Sequence, residues 1–337
     1  MDARSDVRQN TTNLVLAYIE AGTVPWRKAW TAESSRPINA KTQKPYSGIN
    51  SLILGMAMFD NATYASDNRF VTEAQSYDLG LRIRRGEHAA GRIIRMVEVD
   101  RRKAGKQPNS EVVAEEDGKF LIMKTYAVFH VSQLEPGLPP IIKAKTSIAP
   151  VAAVEAIVSA MKKTGLKIAE GPFEPVYMPK LDLIRIPPTD SFHGIDADDV
   201  AANRCGTLLH EISHAVGAPK RLARFGMTQM SLQERAMEEL VAEWSATLLC
   251  SDIKGIKLGE NHIQQHSAYL ASWVQILKDD KSAIFRAAAA AQRTCEYIDQ
   301  LLAHKVALVA VAQEAPAVNE PVMQVQVAVA RRRAGPK

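Results

Sequence analysis

The spacing of apolar positions predicts that the second half of the chain is mainly helical. It begins with a helix and short strand candidates that end with the apolar stretch 181–187. Strands followed by further helices predict an α+β unit. Helices are expected at 150–163, 198–216, 232–251, 261–278 and 282–304.

The first part of the chain has a different pattern, in which one helix precedes several short strands. Apolar residues cluster over 11–21, and Gly22 ends that helix. Apolar and β-branched residues alternate over 93–99 and 120–130, which predicts two strands. The charged segment 101–118 between them contains Gly and Pro and is expected to be a mobile hairpin loop. This part is therefore also α+β.

A Pro-rich stretch separates the two parts. Pro136, Pro139 and Pro140 make the chain extended here, because proline cannot continue a helix. From about residue 306 the chain is rich in Ala, Val, Pro and Gln and has little amphipathic order. We expect an α+β protein of two domains at 1–140 and 150–305, joined by a linker at 141–149 and followed by a flexible tail with a basic end at 306–337.

Charge divides along the same boundary. The chain has 337 residues, a hydrophobic fraction of 46% and a net charge of +5, which fits two globular domains and excludes a wholly disordered chain. Residues 1–140 hold 19 Lys and Arg against 16 Asp and Glu, or +3, whereas 141–330 hold 19 against 21, or −2. The last seven residues add +4. A basic first half is compatible with nucleic acid but does not establish it.

The sequence also indicates a compartment. No apolar run approaches the roughly 18 residues of a membrane span, and the first residues are not those of a signal peptide. The three cysteines Cys205, Cys250 and Cys295 have no CxxC spacing, which argues against a disulfide framework or a thiolate metal site. We therefore expect a cytoplasmic protein with no membrane partner.

The strongest chemical signal is the HExxH motif at 210–214. His210 and His214 are four residues apart and so lie on one face of a helix, where both imidazoles can reach one metal ion. Glu211 is rotated by about 100° and can address a water at that ion. Two imidazoles and a carboxylate with one open position suit zinc, one ion per chain, with Mn²⁺ or another divalent metal as alternatives. Two histidines and a glutamate on the polar face of an ordinary helix are the less favoured interpretation.

A third protein ligand is expected from a later helix. A His-type site fails, because Lys220 stands where the longer zincin motif has its third histidine. Glu239, about 25 residues downstream, is the preferred ligand, with Glu238 as the alternative. Glu243 lies one turn beyond Glu239 and is expected to hydrogen-bond a ligating histidine.

This site predicts a peptidase. Zinc would acidify a water, and Glu211 would take its proton and return it to the leaving amine. The strand at 181–186 is expected to be an edge strand on which an extended peptide pairs. His193, Tyr177 and Arg185 are candidates for stabilising the oxyanion, and the sequence does not discriminate between them.

The basic half contains three candidate nucleic-acid segments. Indole rings stack on bases and cations follow phosphates, whereas tryptophans four residues apart can equally cover a core. Amide and turn-forming residues can read base edges or merely cap turns, and a run of cations is most often a solvated face. The candidate residues are Trp26, Arg27, Lys28 and Trp30, then Asn39, Lys44, Tyr46, Gly48 and Asn50, and finally Arg82, Arg84 and Arg85.

Several separated motifs follow one another between about residues 8 and 255. They are PWRKAW, PINAKTQKPYSGINSLIL, RFVTEAQSYDLGLRIRRGEH, VFHVSQLEPG, LDLIRIPP, TLLHEISHAVGAPKRLAR and EELVAEWSATLLC. In this order they resemble the ArdC antirestriction family, and the N-terminal region of plasmid TraC primases resembles that family too.

This resemblance implies a single-stranded-DNA-binding domain followed by a zincin-like metallopeptidase domain. It implies a protein of conjugative plasmids and mobile elements that protects incoming DNA from host restriction. By position it assigns the metal ligands to His210, His214 and Glu239, the catalytic role to Glu211, and DNA contacts to the three segments above.

Two other interpretations remain open at this point. The chain could be a DNA-binding protein whose metal domain is structural or catalytically silent, although a purely structural site does not need Glu211. It could instead be a cytosolic zinc metallopeptidase that acts on an unknown protein. The partners expected are single-stranded DNA and an unidentified protein or peptide substrate.

Overall fold

The computed structural model describes most of the chain in seven segments, and all that follows concerns them. These segments are 6–22, 36–100, 110–116, 119–139, 150–226, 230–253 and 260–314. Three predicted features lie outside them, wholly or mostly: the linker 141–149, the segment that holds Trp26 to Trp30, and the tail from residue 315 onward.

The first half has short helices around a sheet. Helix α1 begins after Asp6, whose carboxylate accepts the Gln9 amide at 2.9 Å, and the chain after it turns at Gly22 with φ +74°. The helices are α1 (Val7–Glu20), α2 (Ile49–Asp60), α3 (Ala62–Ser66) and α4 (Glu73–Asp78). The strands are β1 (Ile38–Asn39), β2 (Arg69–Thr72), β3 (Arg82–Ile83), β4 (Gly91–Asp100), β5 (Ser110–Glu116), β6 (Lys119–His130) and β7 (Leu134–Glu135).

Strand β6 organises the larger sheet. It pairs with the whole length of β4, from Gly91 opposite Val128 to Asp100 opposite Lys119, and the sheet order is β1-β2-β6-β4. The strands expected at 93–99 and 120–130 are confirmed by β4 and β6. The expected loop 101–118 is wrong in part, because 110–116 forms β5 and pairs with β6. Its charged residues concealed the strand pattern.

The second half begins with helix α5 and a three-stranded sheet, and four long helices were expected after it. The chain after α5 turns at Gly165 with φ +94°. The elements are α5 (Pro150–Lys163), β8 (Lys167–Glu170), β9 (Val176–Met178), β10 (Leu183–Ile186), α6 (Ala197–Val216), α7 (Leu232–Ile253), α8 (Glu260–Asp279) and α9 (Ala283–Glu314). Helix α9 continues ten residues beyond the expected end at 304, because Ala, Leu, Lys, Gln and Glu, which favour helix, make up most of residues 305–314.

The prediction of an edge strand at 181–186 is wrong. Strand β10 is the middle strand of its sheet, parallel to β8 on one side and antiparallel to β9 on the other. Its backbone groups are therefore already paired on both sides and cannot accept an added peptide strand. Among the described residues, the outer strands of this sheet are β8 and β9.

One hydrophobic core joins the two halves. Val15 and Leu16 of α1 and Ile53 of α2 belong to the same buried cluster as Leu208 of α6 and Trp244 of α7. Polar contacts support this packing: Thr12 donates to the Lys281 carbonyl oxygen at 2.9 Å. The N-terminal helix therefore packs on the C-terminal helices. In the part of the chain described here, no helix is both long and apolar enough to span a bilayer.

Candidate metal centre and nucleic-acid surface

Helix α6 carries the HExxH motif at its buried C-terminal end. Asp196 caps the helix by accepting the Asp199 amide at 2.8 Å. Leu209 and Ile212 are fully buried and anchor the motif in the core. His210 and Glu211 are also buried, with exposed fractions of 2% and 5%. The motif is thus held rigidly by packing on both sides.

Three side chains predicted as ligands converge at this end of α6. His210 Nε2 lies 3.1 Å from His214 Nε2, and the Glu239 carboxylate of α7 lies 3.4 Å from the first nitrogen and 3.5 Å from the second. One ligand atom from each residue lies within 4.8 Å of the others. No other such group of His, Cys, Asp and Glu occurs within the described segments.

These separations fit a tetrahedral divalent metal. Ligand atoms about 2.0–2.1 Å from a tetrahedral ion are about 3.3–3.4 Å apart. The observed spacings of 3.1, 3.4 and 3.5 Å bracket that value without rearrangement of the side chains. Two imidazoles and one carboxylate leave the fourth position open for water or substrate.

Glu238 and Glu239 take different positions at this centre. Glu239 faces the two Nε2 atoms, whereas Glu238 lies 3.2 Å from His214 Nδ1, on the other edge of the same imidazole. Glu243 lies 3.5 Å from His210 Nδ1 and is fully buried. Each histidine thus has a carboxylate behind it, an arrangement that fixes the ring and directs Nε2 toward the metal.

The glutamates around the two imidazoles favour protonated histidines. Burial alone lowers the pKa of His210, but Glu239 and Glu243 outweigh it and raise the pKa to about 9. Burial is likewise outweighed at His214, where Glu239 and Glu238 raise the pKa well above its usual value. Burial alone would raise the pKa of the Glu239 carboxyl, but His214 and His210 outweigh burial, so the pKa lies below its usual value. The glutamates therefore concentrate negative charge at this site. Protons on the two histidines neutralise part of that charge, and a bound divalent cation would do the same.

The candidates for oxyanion stabilisation are mostly engaged elsewhere. The Tyr177 hydroxyl is buried and donates to Asp182 at 2.9 Å. The Arg185 guanidinium stacks over the Phe173 ring, 4.9 Å from its centroid. His193 is exposed, and its carbonyl oxygen accepts from Asn203.

The amide residues predicted to contact DNA make hydrogen bonds within the protein. Asn39 is buried, and its amide nitrogen donates to the Tyr46 hydroxyl at 3.1 Å and to Gln75 at 2.8 Å. The Asn50 side chain donates a hydrogen bond to the Ile94 carbonyl oxygen and accepts one from the Ile94 N–H. These two bonds satisfy the backbone of β4 at that residue. The contacts of these three predicted residues hold loops and strands together.

Other residues in the predicted set have different surroundings. Gly48 adopts φ +53° just before α2. Lys44, Arg82, Arg84 and Arg85 are exposed, and Arg84 forms a salt bridge of 2.6 Å with Glu87. Gly86 gives the turn after these arginines its φ of +88°. Trp26, Arg27, Lys28 and Trp30 lie outside the described residues.

Sequence reasoning missed two arginines. Arg224 forms a two-point salt bridge with Glu238, its Nη2 lying 2.6 Å from Oε1 and its Nε 3.1 Å from Oε2. Arg36 is buried and contacts Asp252 of α7 at 3.0 Å and Gln292 of α9 at 2.9 Å. Arg224 is the last residue of the motif TLLHEISHAVGAPKRLAR and Arg36 directly precedes PINAKTQKPYSGINSLIL, but the spacing within these motifs does not indicate what either arginine contacts.

Comparisons with known proteins match the two halves of the chain to two different domain families. Residues 5–129 match the model for the N-terminal domain of the anti-restriction factor ArdC. Residues 152–290 match the model for a zincin-like metallopeptidase. The chain is thus an α+β protein of two domains in which a zincin-like domain follows an ArdC N-terminal domain.

Solved structures and curated relatives cover both domains. The metal-free crystal structure of the antirestriction protein ArdC from plasmid R388 is 30% identical, with a TM-score of 0.69, over 89% of this chain and 98% of that one. The Mn(II)-bound structure of that protein gives 29% identity and the same TM-score, over 88% of this chain and 98% of that one. The chain belongs to the ArdC antirestriction family. The family predicted from the motifs is therefore confirmed.

Two curated relatives extend the comparison. An uncharacterised protein, y4eC, of Sinorhizobium fredii (strain NBRC 101917 / NGR234) is 28% identical over 87% of this chain and 92% of its own length. The DNA primase TraC of Escherichia coli is 29% identical over 88% of this chain, but the match covers only 27% of that primase. The zincin-like domain, together with the Mn(II)-bound ArdC structure, suggests that this chain binds a divalent metal.

Proposed function

We propose that this protein binds single-stranded DNA and is a zinc peptidase that protects incoming plasmid or mobile-element DNA from restriction in the cytoplasm. The observation that carries the peptidase part is the convergence of His210, His214 and Glu239 at tetrahedral-ligand spacings beside Glu211. The ArdC N-terminal domain and the similarity to a DNA primase support the DNA-binding part.

The residues of the centre would divide the chemistry between them. His210, His214 and Glu239 would hold the metal, with Glu243 and Glu238 fixing the two imidazoles. When bound, zinc supplies Lewis acidity and an acidified water. Glu211 would accept the proton of the attacking water and deliver it to the leaving amine, the general-base and general-acid role of the motif.

The Glu211→Gln variant tests the peptidase. The amide keeps the size of the side chain but cannot accept the proton, so we expect bound zinc to remain while the protection of unmodified plasmid DNA entering a restricting host is lost. Zinc content and transfer efficiency are measured together, with His210→Ala as the control that loses metal. Full protection by a zinc-loaded Glu211→Gln protein would favour the alternative, a DNA-binding protein with a catalytically silent metal domain.

The DNA-binding part is tested by salt dependence. We expect fluorescently labelled single-stranded oligonucleotide to bind more tightly than duplex, with log affinity falling against log salt by about 0.7 for each phosphate contact. The double variant Arg82→Gln/Arg85→Gln should flatten this slope, whereas Lys163→Gln, an exposed cation on α5, should not. A salt-independent affinity would overturn the DNA assignment and leave a cytosolic metallopeptidase acting on an unknown protein.

A further inference from the structure

Arg224 holds the carboxylate that lies behind His214. Glu238 lies 3.2 Å from His214 Nδ1, and its two oxygens accept from Arg224 Nη2 at 2.6 Å and Nε at 3.1 Å. This two-point contact fixes both the position and the plane of the carboxylate. A direct chain of contacts thus runs from the guanidinium to the imidazole.

The guanidinium is itself fixed by two further elements. Arg224 Nη2 also donates to the Ser213 carbonyl oxygen of α6 at 2.6 Å, and Nη1 donates to the Thr294 hydroxyl of α9 at 2.8 Å. The Arg224 side chain is only 8% exposed. Because α6, α7 and α9 all contact this group, its orientation is set by the packing of the three helices.

Gly217, which ends α6, provides the space for this arrangement. A Cβ atom at residue 217 would lie 2.6 Å from Arg224 Nη2, 2.7 Å from its Cζ and 2.7 Å from Phe225 Cε1. Those separations are too short for non-bonded atoms, so any side chain at this position would displace the guanidinium and the Phe225 ring. The backbone φ of Gly217 is −72°, which other residues adopt readily. Space for Arg224 and Phe225, and not backbone conformation, therefore requires glycine here.

We infer that Arg224 is a positioning residue of the metal centre. By holding Glu238, it keeps the proton of His214 on Nδ1 and turns Nε2 toward His210 and Glu239. Carboxylates that accept from a ligating histidine typically change metal affinity by about 10- to 100-fold when lost. This inference rests on the proposed metal site, and it assigns to Arg224 and Gly217 a role that the HExxH motif does not contain.

A cavity gives solvent access to the same pair. It has a volume of about 530 Å³, and Arg224, Glu238, Met237, Ile276 and Arg286 are among its lining residues. A cavity of this size is large enough for a free guanidinium ion, which occupies far less than a drug-sized ligand. Small cations can therefore reach the place that the Arg224 side chain would vacate.

The test compares Arg224→Ala with a control in the same cavity. Arg286→Ala is the control, since Arg286 contacts Asp280 at 2.7 Å and its side chain is 60% exposed. We expect Arg224→Ala to weaken Zn²⁺ binding by about 10- to 100-fold and to change the visible spectrum of the Co²⁺-loaded protein, while Arg286→Ala changes neither. Arg224→Lys should recover only part of the affinity, because lysine keeps the charge but lacks the planar fork.

Two further measurements separate positioning from general stability. Guanidinium chloride at millimolar concentrations, well below denaturing levels, should restore Zn²⁺ affinity to Arg224→Ala but not alter the control. Gly217→Ala should weaken Zn²⁺ binding in the wild-type background and have a smaller effect in Arg224→Ala, where the guanidinium that it displaces is already absent and only the contact with Phe225 remains.

The outcomes distinguish this inference from the proposed function. If the wild-type protein binds neither Zn²⁺ nor Co²⁺, the metal site itself is wrong. If it binds both, but Arg224→Ala, Arg224→Lys and Gly217→Ala all match Arg286→Ala in affinity, the positioning role is overturned. Additive effects of Gly217→Ala and Arg224→Ala would likewise overturn the claim that Gly217 acts through Arg224.

Discussion

At the scale of single residues, the adjacent glutamates of α7 have separate tasks. Glu239 faces both Nε2 atoms, and Glu238 faces His214 Nδ1 and Arg224. Successive residues on a helix point about 100° apart, so two neighbours reach opposite edges of one imidazole only if the helices pack closely. Helices α6 and α7 do pack against each other, and Ala242 on α7 is fully buried.

The raised histidine pKa values predict proton release on metal binding. The pKa of His210 is raised to about 9 and that of His214 is also raised, so below pH 9 an incoming metal must displace protons. Affinity should therefore rise with pH through the neutral range and go on rising up to at least about pH 9. Two unperturbed histidines with pKa values of about 6.5 would instead level off near neutrality.

Calorimetry measures this proton release. Zn²⁺ is titrated at pH 7 in buffers of different ionisation enthalpy, and the slope gives the number of protons displaced. We expect about one to two protons for each ion. A value below about half a proton would mean that the histidines are already neutral, contrary to the raised pKa values.

At the scale of elements, the helices of the second half were predicted better than the sheets, whereas α2, α3 and α4 of the first half were missed. Helix α5 has the predicted bounds and α6 differs by one residue, because apolar spacing and local capping residues are enough to define a helix. A strand also depends on its partners, which the sequence does not identify. The partners of β10 and the existence of β5 were therefore missed.

Helix α6 offers a test of local stabilisation. Asp196→Ala removes the carboxylate that accepts the Asp199 amide and should lower the free energy of unfolding by about 0.5–2 kcal/mol. The cap lies about 20 Å along the helix from His210, so Zn²⁺ affinity should not change. Urea unfolding and metal titration provide the two measurements.

A matched control for the cap lies in the first turn of α6. Asp198 is exposed and can favour the helix only through the dipole, which is worth at most about 1 kcal/mol at a surface. Asp198→Ala should therefore cost less than Asp196→Ala. Equal losses from the two variants would show that the hydrogen bond to Asp199 contributes nothing.

At the scale of the whole molecule, the two halves share a core that sequence patterns could not show. Val15 and Leu16 join a cluster whose other members include Trp244 and Ile284, more than two hundred residues away. Apolar spacing indicates that α1 has a buried face but not which element covers it. The Pro-rich stretch therefore marks a change of fold pattern rather than a break in packing.

The shared core predicts coupled unfolding. Leu16 is 7% exposed, and Leu16→Ala should lower the free energy of unfolding by about 2–5 kcal/mol. Amide exchange should accelerate in α9 as well as in α1, because both pack in one cluster. Hydrogen-exchange mass spectrometry with urea unfolding measures both effects.

The control for the core is on the same helix. Leu14 is 43% exposed, so Leu14→Ala should change stability by only about 0.5 kcal/mol. If Leu16→Ala accelerated exchange in α1 alone, the helix would be an independent unit and the shared core would not couple the halves.

The buried contacts of Arg36 also bear on how this chain is inherited. Arg36 donates to the Tyr46 carbonyl oxygen in the first half and to the Asp252 and Gln292 side chains in the second. Recombination within the Pro-rich stretch would therefore leave this buried cation facing side chains from an unrelated second half. A gene that exchanged one half would encode a less stable protein. Selection should therefore transmit the two halves as one cassette, and the similarity to TraC does span 88% of this chain inside a much longer primase.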